Sequence, residues 1–344
     1  MTMKRVVSIA FAISILIGCG DSEPQRQEIT VQGQAQGTTY TVLYISEDGI
    51  NHQRAIDSLL IVIDNSMSTY NRNSAITKWN NSEDGSEFEL DEHFIKVFDV
   101  SEEVHDQTRG LFDPAIGSLL KLWEGQDLTT EPKVDSAVID STKAYIGIDN
   151  IRNEGSKLLK LRKDNVELNF NAVAQGYTVD VLGKLLEDKG IQNYMVEVGG
   201  EVKVKGTNMQ DTLWRIGIDR PMPDLQEREL EAIVHLDNKA LATSGNYRKF
   251  YLKDGKKYSH TIDPTTGYPV EHNLLSATVV ADNCAKADAV ATALMVMGLE
   301  RAKSFLAKNT EYQGLLIYED EKGKMVTYTT EGLNHFIELN PSKK

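Results

Sequence analysis

Cysteine is nearly absent: Cys19 and Cys284 are the only two in 344 residues. Two cysteines so placed cannot build a disulfide framework. Glycine-rich phosphate loops are missing as well. Neither Gly-x-Gly-x-x-Gly nor the P-loop pattern occurs, so a Rossmann or Walker nucleotide site has no support. Basic charge is in deficit, with 37 Lys and Arg against 51 Asp and Glu and a formal net charge of −14. Such a chain repels phosphate backbones, which argues against nucleic acid as a partner. It also means that an anionic ligand would need a cation or helix N-termini to neutralise it locally. Long hydrophobic runs are scarce, and there is neither an internal repeat nor a low-complexity tract. What remains is 40% hydrophobic and 26% charged, a globular composition sufficient for a sizeable core in one large or two ordinary domains.

The first residues read as a targeting segment. Lys4 and Arg5 precede a mostly apolar stretch over 6–17, which is too short to span a bilayer comfortably. Leu16-Ile17-Gly18-Cys19 follows and resembles the lipobox of bacterial lipoproteins, in which the Cys is lipidated and becomes the first mature residue. The alternative is an ordinary signal peptide with an incidental Cys. Cleavage before Cys19 removes two basic and no acidic residues, taking −14 to −16. The expected organisation is therefore a signal peptide at 1–18, a flexible tether at 19–30 and one domain at 31–344. Cys284 falls in a small-residue run and reads as a packing residue.

Periodicity predicts helices over 54–67, 93–106, 116–123, 173–189, 283–297 and 300–308. It predicts strands over 42–45, 194–198, 201–205, 214–218, 231–236, 240–243, 247–252, 257–261, 276–281, 314–318 and 325–328. Gly199-Gly200, Asp254-Gly255 and the stretch 321–323 are hairpin signals. Helices cluster early and late with sheet between them, which is α+β with a mixed or antiparallel sheet core and flanking helices.

Three stretches carry chemistry. Asp288 and Thr292 are four apart on the 283–297 helix, so a carboxylate and a hydroxyl project from one face. That pair suits a hard cation such as Mg²⁺, although the spacing also occurs by chance on many helices. The run 260–269, His-Thr-Ile-Asp-Pro-Thr-Thr-Gly-Tyr-Pro, is a tight turn after a strand. It reads as a turn alone or as an active-site loop. The run 169–177 opens a helix with Asn171 as N-cap, which either simply caps the helix or offers free N–H groups to an anion.

Four segments in order resemble the FAD:protein FMN transferase family, the ApbE-type lipoproteins. They are Met67-Ser68-Thr69-Tyr70, Phe112-Asp113-Pro114, Ala174-Gln175-Gly176-Tyr177 and His260 through Gly267. Gly199-Gly200, Ser244-Gly245-Asn246-Tyr247 and the Ala-Asp-Ala-x-x-Thr helix also match in place, so the resemblance spans about Gly37 to near the C-terminus. It implies an ApbE-like, T-fold-related architecture. It implies that Gly37, Thr38, Tyr70, Leu111, Phe112, Asp113, Asn169, Gln175 and Ile262 contact FAD, and that the Ala172 carbonyl, Asp288 and Thr292 hold Mg²⁺. Gln36 stands where the family often has Met, Asn169-Phe170-Asn171 where it has Asp-Leu-Gly/Ser, and Gln175 where Lys or Glu is usual.

The implied reaction is attack by a Ser or Thr hydroxyl of a target protein on the phosphorus of the FMN half of FAD, leaving a phosphoester and releasing AMP. His260 is the expected catalytic base, with Asp263 next in line, and Asp288 the catalytic metal ligand. Expected partners are FAD, target proteins such as respiratory flavoprotein subunits, and the membrane through the lipid anchor. The expected location is the inner membrane facing the periplasm in preference to the outer membrane. A metal-dependent FAD pyrophosphatase giving FMN and AMP, and a non-catalytic flavin-binding lipoprotein, remain alternatives.

Overall fold

The computed structural model describes residues 26–83, 89–124, 134–161, 166–222, 229–245, 250–253, 256–259 and 261–341. Cys19 and His260 lie outside the described residues. Among those described, eight strands form the main sheet: β1 (Gln27–Ala35), β2 (Thr38–Ser46), β3 (Tyr194–Val198), β4 (Glu201–Lys205), β5 (Ala240–Gly245), β6 (Leu274–Ala281), β7 (Gln313–Glu319) and β8 (Met325–Thr329). Their order in the sheet is their order in the chain, and every neighbouring pair is antiparallel. The helices are α1 (Gln53–Met67), α2 (Ala75–Asn80), α3 (Glu92–Thr108), α4 (Gly117–Trp123), α5 (Ser136–Lys143), α6 (Ala174–Asp188), α7 (Cys284–Met297) and α8 (Leu299–Lys308). The α+β expectation holds, and none of these helices is long and apolar enough to cross a membrane.

Three layers explain the burial pattern. One face of the sheet carries α6 and α7, with α1 and α3 outside them, and packs Val42, Tyr44, Val196 and Val198 against Ile56, Val179, Leu182 and Leu186. The other face is covered by a second, three-stranded sheet made of Trp214–Asp219, Leu230–Leu236 and Ile337–Leu339. There Val202, Val204, Leu241, Val280 and Ile317 meet Trp214, Ile216, Val234 and Leu236. Covered on both sides, β6 is buried at every position, its two polar side chains Ser276 and Thr278 included.

One organisational expectation needs correcting. The tether was expected to run to residue 30, but β1 begins at Gln27, pairing Gln27 with Ser46 and Thr30 with Leu43. This edge strand buries only Val31 fully, so its polar composition conceals it from any search for apolar alternation. The hairpin closes through Gln36 and Gly37, both at positive φ (52° and 74°), the geometry of a tight two-residue turn. The Gly199-Gly200 turn forms as expected, joining β3 to β4 with Val198 opposite Glu201. Asn171 does not cap α6. Val173 occupies that position, and Asn171 lies exposed before it.

Candidate active site

The clearest anomaly in the fold is α7. Its sequence, Cys-Ala-Lys-Ala-Asp-Ala-Val-Ala-Thr-Ala-Leu-Met-Val-Met, is apolar nearly all round because it lies between the main sheet and α3, α6 and α8. In that setting Asp288, only 8% exposed, is costly unless something uses its charge. Its Oδ2 accepts a hydrogen bond from the Gly176 amide at 3.1 Å. That contact depends on a close approach of α6 to α7. A Cβ at Gly176 would overlap the Cys284 carbonyl and lie 2.8 Å from the Asp288 Cβ. Burial pushes the Asp288 carboxyl up from its ordinary value of 3.8 to about 7, against the lowering effect of the Gly176 hydrogen bond.

Asp288 and Thr292 open into a cleft of about 420 Å³. Leu111, Phe112, Asp113, Asn169, Ala172, Gln175 and Ile262 line the same cleft, so the structure brings together residues that sequence alone could only string out. Asn171 and Gln175 also border a second cleft of about 520 Å³, which is lined by Gln36, Gly37, Met67, Ser68 and Tyr70. The Tyr70 ring is 84% exposed, an aromatic face open to a flat ligand. Thr38 is half-buried at the start of β2 and lines neither cleft, so its expected contact with FAD is not apparent in this geometry.

Local structure explains several of these positions. The Asp113 carboxylate accepts from the Ala115 amide (2.7 Å) and the Ile148 amide (3.2 Å), with His105 Nδ1 3.5 Å away. Burial raises its pKa while those amides and His105 oppose the rise. Asn169 donates its amide to the Pro114 carbonyl at 2.7 Å, tying the start of the α6 loop to the Asp113 loop. Gln175 packs against Gly199, where a Cβ would lie 2.7 Å from its Nε2. In the turn after the 256–259 strand, Asp263 Oδ1 accepts from the Thr265 amide (2.7 Å) and hydroxyl (2.6 Å). Its carboxylate therefore braces the turn. Thr261, Ile262 and Pro264 line the cleft and Asp263 does not.

Electrostatics define what the cleft can accept. Its described lining contains three carboxylates, Asp113, Glu201 and Asp288, and neither lysine nor arginine. A phosphate-bearing ligand there would need a cation. Asp288, Thr292 and Ala172 supply the hard oxygen donors such a cation takes, so the residues present fit a divalent metal. Glu201 was missed at the sequence level. The pattern Glu-Val-Lys-Val-Lys after Gly199-Gly200 does contain the signal, since period-two alternation puts Glu201, Lys203 and Lys205 on one face.

A cleft bordered by α7, the loop before α6 and the 261–264 turn, with three carboxylates and no lysine or arginine in its described lining, is a candidate enzyme site. The ApbE family model matches residues 36–316. The FAD:protein FMN transferase of Vibrio cholerae is 34% identical over 328 residues, covering 93% of this chain and 96% of that protein. That of Escherichia coli K12 is 33% identical, covering 92% of each. Among solved structures, the flavin transferase ApbE from Vibrio cholerae superposes with a TM-score of 0.80 at 33% identity, covering 91% of this chain and all of that one. The apo flavinyl transferase ApbE of Pseudomonas stutzeri gives 0.79 at 30% identity, covering 91% and 97%. The chain belongs to the ApbE family of enzymes.

Proposed function

We propose that this enzyme transfers the FMN moiety of FAD to a Ser or Thr hydroxyl of a target protein. The hydroxyl oxygen forms the new bond to the phosphorus of the FMN half, the bond to the AMP half breaks, and AMP leaves with the bridging oxygen. The observation that carries the reading is the single cleft lined by the Leu111-Phe112-Asp113 loop, Asn169, Ala172, Gln175, Ile262, Asp288 and Thr292. Asp288, Thr292 and the Ala172 carbonyl would hold a divalent cation, whose chemistry there is to offset phosphate charge and align the pyrophosphate. Tyr70 offers its exposed face to the flavin or adenine ring. His260 takes the hydroxyl proton, a role supported by its position in the sequence directly before Thr261 and Ile262, which line the cleft.

The full chain incubated with FAD, Mg²⁺ and a Ser/Thr peptide should yield covalently fluorescent peptide and AMP. Free FMN with AMP would instead make it a pyrophosphatase, and unchanged FAD a binding protein. The same reading places the enzyme outside the cytoplasm, held to the inner membrane facing the periplasm by a lipid on Cys19, with targets such as respiratory flavoprotein subunits. Its support is the Leu-Ile-Gly-Cys junction. Cys19→Ser should release the protein from the membrane fraction, and unchanged partitioning would defeat the anchor.

A further inference from the structure

The helix-facing row of β4 is Glu201, Lys203 and Lys205, since Val202 and Val204 face the small sheet. Both lysines are matched by α6. Lys203 Nζ lies 2.6 Å from Asp180 Oδ1, and Lys205 Nζ 3.3 Å from Glu187 Oε1. Among the described residues Glu201 has no such match. It is 5% exposed, and its Oε2 is buried without a hydrogen-bond partner among them. It sits where the Gly199-Gly200 turn meets Gln175, and it lines the cleft that Asp288 lines. The first turn of α7 is anchored beside it, since Cys284 Sγ contacts the Val202 carbonyl at 3.6 Å.

A buried carboxylate with one oxygen unpartnered lowers stability, and an apolar residue of similar volume would fold better. Here the burden is compounded, because two more buried carboxylates, Asp113 and Asp288, border the same cleft and no basic side chain in its described lining offsets them. Like charges so placed are tolerable when a multivalent cation sits between them and solvent. The oxygen left unpartnered among the described residues, the described lining without lysine or arginine, and the shared cleft have one explanation in common.

We propose that Glu201 is a further ligand of the divalent cation held by Asp288, reaching it directly or through one of its waters. The inference rests on the cation reading above. It adds a second carboxylate to a site otherwise made of one carboxylate, one hydroxyl and one carbonyl.

Mn²⁺ binding to the full chain, followed by electron paramagnetic resonance in the absence of FAD, tests this for wild type, Glu201→Gln and Asp288→Asn. Wild type should bind Mn²⁺ and Asp288→Asn should lose it. Glu201→Gln should weaken it by about tenfold or more, the scale of a lost supporting ligand. Without metal, the melting temperature of Glu201→Gln should equal or exceed that of wild type, because the amide removes a buried charge. Undiminished Mn²⁺ affinity in Glu201→Gln, with Asp288→Asn defective, overturns the role of Glu201 and leaves the cation reading intact. Failure of wild type to bind Mn²⁺ overturns both. A Glu201→Gln protein that melts lower or does not fold makes Glu201 a structural residue and overturns the proposal.

Discussion

The two faces of the main sheet are built from the same alternating strands yet do different work. On the side of the three-stranded sheet, Val202, Val204, Leu241 and Val280 meet Trp214, Ile216, Val234 and Leu236, and the buried carboxylate of that sheet, Glu231, has the Arg220 guanidinium 3.7 Å away. On the helix side, Asp288 and Glu201 are buried at less than a tenth exposure within a largely apolar layer. The first face lowers free energy by removing apolar surface from water. The second gives up part of that gain to hold charge at a cleft. The candidate site thus lies where the fold tolerates what would otherwise destabilise it.

Substitutions on the two faces should therefore separate turnover from stability. The largest effect on turnover is expected from Asp288→Ala. It should reduce flavin transfer by about 10²-fold or more, as loss of the charged metal ligand removes several kcal/mol of transition-state stabilisation, and retention of more than about a tenth of wild-type rate would end that assignment. His260→Ala should lower kcat by about 10²–10⁴-fold while flavin fluorescence finds FAD affinity within a few-fold. A collapse of affinity with kcat intact would make His260 a binding residue.

On the opposite face, Leu236→Ala should destabilise by about 2–5 kcal/mol in denaturant melts, with kcat unchanged in the folded fraction. A fall in kcat there would show that the faces are coupled. Gly176→Ala joins the two effects, because its Cβ would press α6 away from Cys284 and Asp288. It should cost about 1–3 kcal/mol by overpacking, together with a loss of cation affinity.

The smallest effect is a pH slope. In metal-free protein the folded Asp288 has a pKa of about 7 against an ordinary value of 3.8. Between those values the folded state holds a proton that the unfolded chain has released, so stability declines as pH rises towards about 7. Glu201, pushed up by burial and then by the charge of Asp288, contributes with the same sign. Asp288→Asn should flatten the decline in melts from pH 4 to pH 8, and an unchanged slope would show that Asp288 is not its source.

Much of the sheet was legible because its signals are local. Alternation and the Gly199-Gly200 pair place β3 and β4 without reference to anything distant. β1 was not legible, since a polar edge strand needs only Val31 to be buried and is held by its pairing with β2. The short strand Ile337–Leu339 is likewise made by its partner, Leu230–Leu236. At the site, the spacing of Asp288 and Thr292 and the bracing turn around Asp263 are written in the chain. The burial of Asp288 is not, because it depends on α6 approaching closely enough for the Gly176 amide to reach it.

By itself, then, the sequence determined the family, the hairpins and the helix that carries the carboxylate, all of which depend on neighbouring residues and backbone periodicity. Only the tertiary structure decided that Glu201, 87 residues before Asp288 (288 − 201), shares its cleft and has an oxygen without a partner among the described residues. Desolvation and charge proximity are properties of the space around a side chain, and that space is filled by residues remote in the chain.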